Sequence, residues 1–103
     1  MNRIKDLYGD IMEELEGAKN YAWKALKHKH TSPDDASTYA SMAEAELGHA
    51  EKLRNMARAE VHRLMREGDA EHPILSAMMD WAEEVLNHGK AEVHRVLAMY
   101  RET

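Results

Sequence analysis

At 103 residues the chain has room for one domain and one core, near the size at which oligomerisation often supplies part of the buried surface. Cysteine is absent, which excludes disulfides, zinc–thiolate sites and thiol chemistry, so any bound metal must be held by oxygen and nitrogen. A net charge of −5 argues against a general nucleic-acid binder, which would carry a concentrated basic face. It fits a solvated surface that attracts cations.

The composition favours helix, with only two prolines and no Phe. Residues 1–6 are charged and have no long apolar run, so neither a signal peptide nor a membrane span is expected. The expected location is the cytoplasm, or a protein compartment within it.

The first helix is predicted over roughly 2–29. It ends in Lys27, His28, Lys29 and His30, where positive charge complements a helix C-terminus. Ser32 is then the expected N-cap, with Pro33 at the first helical position and Asp34 and Asp35 in the first turn. The second helix is predicted over 33–67 and stops at Gly68, a C-cap glycine. Asp69 would cap a third helix over 72–101 that carries Pro73 in its first turn. Helices of about thirty residues, about 45 Å long, point to an all-α antiparallel hairpin plus a third long helix, completed as a bundle between chains.

The apolar stripes are interrupted at particular places. In the first helix Leu7, Ile11, Ala18, Tyr21 and Ala25 recur at helical spacing, and Glu14 stands where another apolar residue belongs. In the second, Tyr39, Met42/Ala43, Ala50, Leu53, Met56/Ala57, Val61 and Leu64 form the series, with Glu46 and His49 in its gap. Residues three apart share one helix face, so the carboxylate and the imidazole reach one point in space. A carboxylate on a buried stripe costs several kcal/mol unless compensated. A divalent cation would compensate Glu14, Glu46 and His49 together. Di-metal carboxylate bundles use one Glu from each of two helices and a Glu-x-x-His from each of the other two. One copy of this chain supplies half of that set, and two copies supply all of it. The spacing implies a two-metal site with iron, manganese or zinc open as occupants. A metal-free polar network that fixes dimer register is the alternative.

Met12-Glu13-Glu14-Leu15-Glu16, the aromatic pair Tyr21/Trp23 and Glu46-x-x-His49-Ala50 resemble the encapsulated-ferritin branch of the ferritin-like superfamily across about residues 7–66. Rubrerythrins, with the whole four-helix set in one chain, are more distant. The resemblance implies a ferritin-like four-helix bundle completed by homodimerisation or a higher homo-oligomer. It also implies a di-iron ferroxidase centre in which Glu14, Glu46 and His49 are both iron ligands and catalytic residues. A di-iron peroxide-reducing or oxygen-sensing protein is a further reading. An encapsulin shell is the partner implied by the branch, although residues 99–103 do not look like its targeting tail. No nucleic-acid or membrane partner is expected.

Tyr21 and Tyr39, each two turns from a proposed ligand, are expected in the core, with hydrogen bonding to a ligand carboxylate as the functional alternative. His88 and Glu92 lie near the series Ile74, Met78, Trp81, Val85 and Val96. His88 is expected to face the core or a partner, with an extra metal site as its alternative. Glu13, Glu16, Glu44 and Glu51, and His28, His30, His62, His72 and His94, are expected on solvated faces. Gly17 and Gly48, beside the proposed ligands, admit close helix contact, a small oxidant or simple tolerance. The methionines are expected as core filler.

Overall fold

A computed structural model describes residues 2–68 and 72–102, excepting the side chains of Asn2 and His72. The described residues form three helices and no strand: α1, Asn2–His28; α2, Pro33–Glu67; α3, His72–Arg101. The expected helix boundaries differ from these by a single residue, at the end of α1. Asp69 and the His72 side chain lie outside the described residues. None of the helices is long and apolar enough to cross a membrane.

Gly68 ends α2 in the left-handed conformation (φ 70°), and its N–H donates to the Leu64 carbonyl, which is the device expected of a C-cap glycine. Ser32 occupies the N-cap position but its side chain makes no capping bond. The α1–α2 turn is held instead by backbone, through Ser32 N–H to His28 O and Ala36 N–H to Ser32 O, both 2.9 Å. Pro33 supplies the preset φ that starts α2.

α1 and α2 run antiparallel, so that Arg3 meets Glu60 at one end and Tyr21 meets Tyr39 towards the other. Towards the α1–α2 turn the buried positions are alanine: Ala18, Ala22 and Ala25 on α1, and Ala36, Ala40 and Ala43 on α2. Small side chains at a contact shorten the interaxial distance. α3 runs parallel to α1, with Tyr8 against Trp81 and Lys19 against Glu92, and antiparallel to α2, with Arg101 on Glu44 and Lys90 on Glu51. Arg54 and Arg58 both reach Glu83 from α2. Exposed pairs of this kind contribute little each, but together they favour one orientation of α3. The result is a rod of 56 × 17 × 14 Å.

The buried stripe of α3 is Leu75, Ala82, Leu86, Val93, Val96 and Leu97, which shares only Val96 with the series read in the sequence. Ile74 and Trp81 are exposed, and Met78 and Val85 half-buried. α3 is apolar over a wider arc than two neighbouring helices can cover, and the remainder borders an open groove against α1. His88 is exposed on the rim of that groove rather than in the core. Three of the methionines, Met12, Met42 and Met56, are likewise exposed rather than core filler.

Candidate metal centre

Glu14 lies on the edge of the α1 stripe, and Glu46 and His49 lie one turn apart on the facing edge of α2. The antiparallel pairing brings these edges together. One ligand atom from each residue lies within 4.8 Å of both others, and this is the only such trio of His, Asp or Glu among the described residues. His49 Nδ1 stands 3.5 Å from Glu14 Oε2, beyond a good hydrogen bond. The imidazole is 56% exposed and the Glu14 side chain 27%.

Glu14 Oε2 is buried and has no hydrogen-bond partner. A buried carboxylate oxygen without a donor is costly, and such an atom calls for an explanation in unplaced water, an ion or strain. Glu46 sits beside it with its pKa raised above the ordinary 4.5. The largest cause is the hydrogen bond that a protonated Glu46 can share with Glu14; burial and the Glu14 charge add to it, and His49 opposes it. A proton on Glu46 would supply the donor that Glu14 Oε2 lacks. A divalent cation would satisfy the same oxygens without that proton. Two carboxylates and one imidazole form a donor set suited to iron, manganese or zinc, so the residues present fit a metal.

The remaining residues take other places. Tyr21 and Tyr39 stack on each other at 6.1 Å between centroids, and His28 stacks on Tyr39 at 5.7 Å. Neither tyrosine hydroxyl bonds Glu14 or Glu46, so the second role weighed for them is not seen here, and half-buried His28 is not purely solvated. Glu13, Glu16 and Glu44 are exposed as expected. Glu51 is half-buried and bonded to Lys90 at 2.6 Å, which holds its carboxyl below the usual range.

Gly17 and the outer edge of α2 carry more than the sequence suggested. A Cβ placed on Gly17 would lie 2.6 Å from Glu46 Oε2, whereas one on Gly48 would meet nothing within 4 Å. Along α2, Tyr39, Met42, Glu46, His49, Leu53 and Met56 follow at alternating steps of three and four, the spacing of a coiled-coil seam. α3 engages the other flank of α2, through Glu44, Glu51, Arg54 and Arg58. Met42 is therefore left 37% and Met56 45% exposed. The spacing was available in the sequence, but only the position of α3 separates this seam from the core stripe beside it.

No family model matches the chain, and neither curated proteins nor solved structures yield a match. The fold and the site together define a three-helix unit with a carboxylate–carboxylate–imidazole group on its uncovered edge.

Proposed function

We propose that the protein is a ferroxidase: a two-fold homodimer that binds two Fe(II) ions between two Glu14–Glu46–His49 sets and oxidises them to Fe(III). The observation that carries this reading is the buried Glu14 Oε2, without a hydrogen-bond partner among the described residues, with Glu46 and His49 beside it on an edge of α2 away from the flank that α3 engages. The resemblance of residues 7–66 to encapsulated ferritins, carried in part by the same residues, agrees with it.

The outer edge of α2 is symmetric in character about the site. Two large apolar residues, Tyr39 and Met42, precede the polar pair Glu46/His49, and two more, Leu53 and Met56, follow it. An antiparallel partner helix would set position 42 opposite 53 and position 39 opposite 56. Positions 46 and 49 would then face each other at the dyad, bringing together two Glu and two Glu-x-x-His, the full inventory of a di-metal bundle.

Adjacent ferrous ions supply two electrons together to an oxidant such as dioxygen or peroxide. A proton shared by Glu46 and Glu14 would leave on cation binding, which would couple metal uptake to pH. Glu14 from α1 and Glu46 from α2 would hold the cations through their carboxylates. His49 would offer a ring nitrogen from the exposed side. Manganese or zinc would suit the same donors.

The test is metal content per chain after anaerobic Fe(II) loading and desalting, followed by exposure to air. About one iron per chain is expected in the wild type, with ferric absorbance growing on oxidation, and neither in Glu46→Ala. Folded dimers that retain no metal would replace this reading with a polar network that fixes register.

A further inference from the structure

The backbone of α1 at Gly17 is the surface against which the Glu46 carboxyl group rests. A Cβ there would meet Glu46 Oε2 at 2.6 Å, Cδ at 3.2 Å and Oε1 at 3.8 Å, so the three nearest atoms all belong to that carboxyl group. Gly17 lies three residues after Glu14 on α1 and thus near the same face. We propose that Gly17 is a positioning residue for Glu46: the missing side chain opens a niche on α1 that holds the carboxyl group beside Glu14 and His49. The inference rests on the metal-binding reading above for its consequence, but not for its geometry.

The other glycines of the bundle separate this role from simple packing. A Cβ on Gly89 would strike the Leu15 side chain at 2.9 Å, so there glycine lets α3 approach α1 over an apolar contact. Gly9 faces open space. Only at Gly17 is the displaced group the end of an ionisable side chain. The atom encountered is the tip of a flexible residue, so Ala at 17 would leave the α1–α2 contact in place and turn the Glu46 carboxyl group away. Helix propensity itself favours Ala over Gly at an interior position. A glycine serving only the helix would therefore improve on replacement, and one serving the site would not.

The experiment compares full-length wild type, Gly17→Ala and Gly9→Ala by thermal melting without metal, by Co(II) titration as an oxygen-stable substitute for Fe(II), and by crystal structures without metal. Expected for Gly17→Ala is a melting temperature at or above wild type, Co(II) affinity weakened at least about tenfold, and the Glu46 carboxyl group swung away from Glu14 over an unchanged backbone. Gly9→Ala should melt higher and bind Co(II) as wild type does. A Glu46 carboxyl group still beside Glu14 in Gly17→Ala, undiminished Co(II) affinity, or a lowered melting temperature would each overturn the positioning role. If wild type takes up no Co(II), the metal reading fails, while the crystal structures still decide whether Gly17 sets the place of Glu46.

Discussion

His49 Nδ1 and Glu14 Oε2 face each other across the α1–α2 contact at 3.5 Å, with the imidazole open to solvent and the carboxylate oxygen beneath it sealed from water. The imidazole stands over the buried oxygen without bonding it. His49→Ala should accordingly leave the fold intact, since it removes a mostly exposed side chain, with a stability change within about 0.5 kcal/mol. Metal affinity should fall at least tenfold, because one donor in three per chain is lost. Chemical denaturation and metal titration of the same sample read the two effects separately. A large loss of stability with affinity retained would make His49 a structural residue.

Glu46 predicts an unusual pH dependence for the metal-free protein. Its pKa is raised in the folded state, chiefly by the hydrogen bond shared with Glu14, so the folded chain holds that proton more tightly than the unfolded one. The stabilisation is fully present below the ordinary value of 4.5 and is lost as pH rises through the raised value. Glu46→Gln keeps a donor beside Glu14 and removes the titration. It should gain stability relative to wild type as pH rises from 4.5 towards neutrality, by a few tenths to about 1 kcal/mol, given the partial exposure of the pair. Saturating metal should reverse the ranking, since only wild type has the second carboxylate to bind it. A stability difference independent of pH would count against the shared proton.

Helix extents were legible in the sequence because their signals are local. Pro33, Gly68 and the 3.6-residue spacing act within a few residues of themselves. Glu14, Glu46 and His49 were legible as a group because each interrupts an apolar series in a compatible phase. What the sequence left unread depends on the relative rotation of helices. α3 has adjacent apolar stripes, and only packing decides that Leu75, Leu86 and Leu97 go inside while Ile74 and Trp81 stay out. Gly17 stood out only as a glycine beside the proposed ligands, and the Glu46 carboxyl group that fills its space comes from another helix. The Tyr21–Tyr39 stack arises in the same way, from the register of the α1–α2 pair.

The rotation of α3 can be tested directly. Leu86 is fully buried and Trp81 nearly half exposed, although both lie on apolar stripes of the same helix. Leu86→Ala should cost about 2–5 kcal/mol through lost burial and the cavity left behind. Trp81→Ala should cost clearly less, about 1 kcal/mol, through the ring contact with Tyr8 at 5.7 Å. Urea denaturation of both variants checks the order. Equal costs would mean that α3 presents its other stripe to the core.

The outer edge of α2 offers the sharpest test of the homodimer. Met42 is well exposed and Leu53 half-buried, so a charge at either should cost the isolated subunit little. In a dimer built on this edge each would lie in the contact. M42K and L53E, made singly, should weaken association at least tenfold, or about 1.4 kcal/mol, and reduce metal bound per chain in step, with helicity unchanged. The antiparallel register adds a stricter demand. Position 42 of one copy would face position 53 of the other, so M42K and L53E combined in one chain would oppose unlike charges twice across the dyad. Sedimentation velocity should show the double variant recovering part of the association that each single variant loses. A parallel register would set like charges against each other at both positions, and the double variant would then associate more weakly than either single one.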